Sequence, residues 1–86
     1  MSMQQEKVII GDIFSKYDNP IAQIVAKACT FDSEIYAIAD NARANLKSIM
    51  GIMAFNWNEG TPVLIKAEGK DAEDAVKEIC EYLECR

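Results

Sequence analysis

Apolar positions along the chain recur with two different periods, and the changes between them mark out the elements. From Pro20 the residues Ile21, Ile24, Val25, Ala28 and Cys29 follow steps of 3, 1, 3 and 1, which predicts one face of a helix. Asn19 can cap that helix and Pro20 suits its first turn. From Asp71 the residues Ala72, Ala75, Val76, Ile79, Cys80 and Leu83 repeat the helical spacing over a longer stretch. Asp71, Glu73 and Asp74 stand at its start, where acids favour the helix dipole and Asp71 can cap.

The period of two appears between these helices. Lys7 to Ile10 is a short β-rich run leading into the turn-prone loop GDIFSKYDNP. SEIYAIA, then Asp40-Asn41, then ARANL predict a hairpin, with Asn41 able to take the left-handed conformation of its turn. PVLIKAE alternates Val63, Ile65 and Ala67 against Leu64, Lys66 and Glu68 as a strand. A short helix starting near Ser48 and ending before the NEG at 58 to 60 completes the order βαββαβα. That order predicts an α+β fold, a four-stranded antiparallel sheet with three helices on one face.

The stretch NLKSIMGIMAF at 45 to 55 holds more apolar surface than a short helix can bury. Ile49, Ile52 and Met53 share a face that can enter the core. Met50 lies off that face, and Phe55 and Trp57 extend the apolar material further, so part of it is expected to form an exposed docking patch. A locally thick core is the alternative. Ser48 can serve simply as an N-cap. A phosphate there would add about two negative charges at a helix amino terminus, where they are stabilised and can recruit or repel a partner.

Composition narrows the classes of function. A length of 86 residues fits a single domain, residues 1–86, and half hydrophobic with 27% charged is a globular balance. Nine basic residues against fourteen acidic ones leave a net charge of −5, which disfavours nucleic acid and anionic membranes as partners. No apolar run approaches the length of a membrane span and MSMQQEK is not a secretory leader, so a cytoplasmic location is expected. Cys29, Cys80 and Cys85 lack CxxC spacing and the chain has no histidine, so no metal or other cofactor is expected. Cys29 and Cys80 read as core fillers on apolar helical faces. Cys85 reads as a frayed, exposed thiol or one that joins two chains. No glycine-rich phosphate loop and no set of nucleophile, base and orienting group appears.

Asn45 to Met53 resembles the regulatory-serine segment of HPr, the bacterial phosphocarrier family of the sugar phosphotransferase system. The Gly-x-Asp-Ala-x-x-Ala pattern from Gly69 to Ala75 resembles that family as well, and the similarity covers nearly the whole chain. It implies the HPr-like open-faced β-sandwich. In the family a Gly-Ile-His-Ala-Arg-Pro segment precedes the first helix, and its histidine carries phosphate from Enzyme I to sugar-specific proteins. Here only Pro20 matches: Tyr17 stands at the histidine, Asp18 at the alanine and Asn19 at the arginine, with Ser15 and Lys16 before them. A tyrosine ester is a poorer phosphoryl donor than a phosphoimidazole, asparagine carries no charge, and Asp18 adds like-charge repulsion. The resemblance therefore implies no catalytic residue and no phosphoryl relay.

It points to the histidine-less, Crh-like branch of the family. There a bifunctional HPr kinase/phosphorylase modifies the serine, and the phosphorylated form binds a LacI-type transcriptional regulator. By this resemblance Ser48 is the phosphorylation site, Lys47, Ile49, Met50 and Met53 bind protein partners, and the role is regulatory, in catabolite control. Two other readings stay open: a binding or scaffold module that works without phosphorylation, and a carrier or enzyme with an altered centre at Ser15 to Asp18.

Overall fold

Helices lie over one face of a four-stranded antiparallel sheet whose order is β1-β4-β2-β3. The computed structural model describes residues 2–40 and 42–84. In chain order the elements are β1 (Ser2–Ile9), α1 (Ile13–Lys16), α2 (Pro20–Cys29), β2 (Glu34–Ala39), β3 (Ala42–Asn45), α3 (Ile49–Met53), β4 (Pro62–Gly69) and α4 (Ala72–Glu84). The α+β class and the sheet agree with the sequence pattern. The helix count does not: α1 is a fourth, four-residue helix inside the stretch expected to be loop. It forms because Ile13 reaches the core, fully buried, while Lys16 and Tyr17 donate their N–H groups to the carbonyls of Asp12 and Ile13.

Strand β4 lies inside the sheet, paired with β1 on one side and β2 on the other, and it alternates cleanly. Val63, Ile65 and Ala67 are buried on the helix side, facing Val8 of β1 and Ile35 and Ala37 of β2 in one layer. Helix α4 packs across β1 and β4 with Ala72, Ala75, Val76, Ile79, Cys80 and Leu83 all buried, as their spacing predicts. Strand β1 runs five residues further toward the amino terminus than Lys7. Its register with β4, from Ser2 opposite Gly69 to Ile9 opposite Pro62, extends the ladder by backbone pairing alone. Nearly all its side chains are exposed, so no hydrophobic period announced it.

The hairpin of β2 and β3 pairs Ala39 with Ala42 around Asp40, whose φ of 48° is left-handed. The conformation expected of Asn41 lies outside the described residues, as does the fate of Cys85.

Three local expectations need correction. Asn19 does not cap α2 with its side chain; it takes a left-handed conformation (φ 52°, ψ 60°) and contributes only its carbonyl, to Gln23 N–H. Cys29 is exposed, whereas Cys80 is buried as expected. The buried row of α2 is Pro20, Ile24 and Ala28; Cys29 ends the neighbouring row of Ile21 and Val25, which lies only half in the core.

Asp71, the third, stands at the N-cap of α4, its carbonyl accepting from Ala75 N–H at 3.0 Å. Its carboxylate points elsewhere. It accepts from the backbone N–H of Asp32 at 2.8 Å, from that of Ser33 at 2.9 Å, and from the buried Ser33 hydroxyl, pinning the α2–β2 loop to the start of α4. The Ser33 hydroxyl and then the Asp32 N–H hold its carboxyl below the ordinary value of 3.8. Gly69 completes this junction: at φ 151°, an added Cβ would lie 2.4 Å from Ser33 Oγ.

Candidate functional site

The residues before α3 are held by short-range polar contacts. The Asn45 side-chain oxygen accepts from Lys47 N–H at 2.9 Å and its carbonyl accepts from Ser48 N–H at 3.0 Å, a turn of the kind asparagine favours. Lys47 reaches sideways, and its ammonium donates to the Phe31 carbonyl at 2.7 Å. Ser48 then stands extended (φ −111°, ψ 112°) as the N-cap, its Oγ accepting from Gly51 N–H at 3.3 Å and its carbonyl from Ile52 N–H at 3.1 Å. The capping reading of Ser48 from sequence is therefore correct.

Only Ile52 of α3 enters the core. Ile49 is 46% exposed, Met53 69% and Met50 81%. Ile49 and Met53 share a helical face with Ile52 that could have entered the core, yet both stay outside it. A helix of five residues has fewer than two turns, and one side chain is all it can direct at the sheet. Phe55 and Trp57 go the other way and are buried, their rings 4.8 Å apart and tilted by 50°. The indole N–H donates to the Ile52 carbonyl at 2.7 Å, fastening the end of the helix. The outcome is a hydrogen-bonded turn with Ser48 at one end and three exposed apolar side chains along it.

The second locus is the segment before α2. Ser15, Lys16, Asp18 and Asn19 are exposed, but Tyr17 is half-buried and stacks on Tyr82 of α4, with ring centroids 4.0 Å apart and planes inclined by 12°. The Tyr82 hydroxyl donates to the Gln23 side-chain oxygen at 2.8 Å, and the Gln23 amide donates to the Asp18 carbonyl. The Lys27 ammonium lies 5.2 Å from the Tyr82 centroid and 3.6 Å from Glu78. Chemically this is an aromatic clasp: the ring of Tyr17 is committed to packing. Tyr82, Gln23 and the Phe31 carbonyl were not singled out in the sequence. Tyr82 alone had a signal, next to Leu83 and three residues after Ile79 on the buried face of α4.

Among the described residues, no cluster of three or more His, Cys, Asp or Glu side chains could hold a metal ion, and no helix is long and apolar enough to cross a membrane. Cys80 faces Glu6 of β1; burial, and then the neighbouring Glu6 carboxylate, push its thiol up to about 12, leaving it protonated.

Residues 5–85 match the family described as PTS HPr, the "PTS HPr component phosphorylation site". The chain belongs to the HPr family. It is 36% identical over 77 residues to the phosphocarrier protein HPr of Mycoplasma capricolum subsp. capricolum, covering 90% of this chain and 86% of that one. It is 32% identical over 82 residues to the HPr-like protein Crh of Bacillus subtilis, covering 95% and 96% of the two chains. Its fold superposes on the crystal structure of an HPr from Bacillus anthracis with a TM-score of 0.87 at 32% identity, over 96% of this chain and 99% of that one. The sheet with helices on one face is thus the open-faced β-sandwich of HPr proteins. As a member of that family with no histidine anywhere in its 86 residues, the chain cannot carry phosphate on an imidazole.

Proposed function

We propose that this HPr-family chain is a cytoplasmic regulatory protein of the sugar phosphotransferase and catabolite-control system, switched by phosphorylation of Ser48 and acting through Ile49, Met50 and Met53. The observation that carries the reading is the seat of Ser48: its oxygen caps α3 directly beside three exposed apolar side chains. A phosphate on that oxygen would stand at the helix start, where the dipole favours an anion, and would change the charge at the rim of the patch without unfolding it. Methionines suit such a surface because their flexible, polarisable side chains adapt to a partner. The partners in this reading are an HPr kinase/phosphorylase and, for the phosphorylated form, a LacI-type transcriptional regulator. Lys47 contributes at the margin, since its ammonium is already drawn to the Phe31 carbonyl.

Tyr17 occupies the position of the family's phosphocarrier histidine in this reading, and its stacking on Tyr82 supports a packing role rather than a relay. The chain is then not an enzyme and not a carrier.

The test is incubation with ATP and an HPr kinase/phosphorylase, with an ordinary HPr in the same tube, followed by intact mass and site mapping. One phosphate on Ser48, absent from Ser48→Ala, is expected. An unlabelled chain beside a labelled control would instead support a phosphorylation-independent binding module, a reading favoured by the patch being exposed without any phosphate.

A further inference from the structure

Glycine at position 51 has no backbone reason to be there. Gly60 (φ 88°) and Gly69 (φ 151°) adopt conformations that other residues avoid, but Gly51 is an ordinary helical residue in α3. Packing does not exclude a side chain either. A Cβ on Gly51 would meet Ser48 Oγ at 3.5 Å, Ser48 Cβ at 3.7 Å and Asn45 N at 3.8 Å, all ordinary van der Waals contacts. Glycine is a poorer helix former than alanine, and a five-residue helix can ill tolerate it. Local stability therefore favours alanine, and the space left by the missing methyl lies against the Ser48 side chain.

We infer that Gly51 is a positioning residue for phosphorylation of Ser48: its missing Cβ keeps one flank of Oγ clear. The inference rests on Ser48 being the phosphate acceptor. In that step Ser48 Oγ forms a bond to the γ-phosphorus of ATP, and the bond from that phosphorus to the bridging oxygen of the ADP leaving group breaks. The hydroxyl proton passes to a base of the kinase. The reacting atoms must come within about 3 to 3.5 Å in line, the same shell that a methyl on Gly51 would occupy. The N–H that caps the hydroxyl at 3.3 Å is then placed to donate to the ester phosphate.

Initial rates for the wild type and Gly51→Ala, each over a range of protein concentration with ATP and an HPr kinase/phosphorylase, test this, with Ser48→Ala as the unlabelled baseline and a thermal melt of each protein. Gly51→Ala is expected to melt no lower than the wild type, yet to show kcat reduced about tenfold or more with KM within about twofold, because the docking side chains are unchanged. Wild-type kcat in Gly51→Ala would overturn the inference while leaving the Ser48 reading intact. So would a change confined to KM, which would mean docking rather than access, or a lower melting temperature, which would mean the glycine serves packing. A wild type that takes no phosphate beside a labelled control HPr overturns both.

Discussion

Tyr17 lies nearly parallel on Tyr82, centroids 4.0 Å apart, and so joins the loop before α2 to the last turns of α4 across 65 residues of chain. Offset aromatic pairs contribute about 0.5–1.5 kcal/mol beyond the area they bury. A double-mutant cycle of Tyr17→Leu and Tyr82→Leu, followed by urea unfolding, is expected to return a coupling energy of about that size. Additive effects of the two substitutions would show that the rings merely share a neighbourhood.

Trp57 fastens α3 through its indole N–H to the Ile52 carbonyl at 2.7 Å. Trp57→Phe keeps an aromatic ring but loses this donor, and is expected to lower stability by about 1–2 kcal/mol. The amides of α3 should also exchange faster with solvent deuterium. Unchanged exchange at Ile52 and Met53 would mean that the bond does not hold the helix.

The Asp71 carboxylate gives an acid-sensitive junction. Its folded pKa is depressed, so its contribution to stability is present above the ordinary value of 3.8 and disappears as pH falls through the lowered folded value. Asp71→Asn is therefore expected to be less stable than the wild type at neutral pH, with the gap closing as the solution is acidified below that value. Chemical unfolding of both proteins at several pH values checks this; a gap independent of pH would assign the loss to packing instead.

Met50 is 81% exposed and makes no contribution to the core. Met50→Ser is expected to change stability by no more than about 0.5 kcal/mol. Under the proposed function it should nevertheless weaken capture by the kinase, read as a raised KM for phosphorylation of Ser48. A KM equal to wild type would remove Met50 from the docking surface.

Cys29 and Cys80 should part company toward thiol reagents. Cys29 is exposed, and Cys80 is buried with its thiol pushed up to about 12. Alkylation at mildly alkaline pH followed by peptide mapping is expected to modify Cys29 within the folded protein and Cys80 only after denaturation.

Much of the fold was legible because its signals are local. The alternation of Val63, Ile65 and Ala67 and the spacing of Ala72 through Leu83 each require only that one face be apolar, and the existence of strand β4 and helix α4 follows from that. The capping role of Ser48 was likewise local, resting on a hydroxyl at the start of a short apolar turn. The amino acid sequence by itself also determined that no imidazole is present to carry phosphate, since it contains no histidine.

Other features depended on what the folded chain brings together. The length of β1 came from its backbone partner β4, because an edge strand with solvated side chains carries no hydrophobic period. The sharing of apolar surface in α3 was decided by how much of a five-residue helix can face a sheet: Ile52 goes in, and Ile49, Met50 and Met53 stay out. The Tyr17–Tyr82 stack and the clasp of Asp71 on Ser33 each join residues far apart in sequence, where neither partner's neighbours reveal the other. Local periodicity tells a residue which face it belongs to. Only the closed tertiary structure, where few positions compete for limited core volume and every buried donor needs an acceptor, decides which partner it meets there.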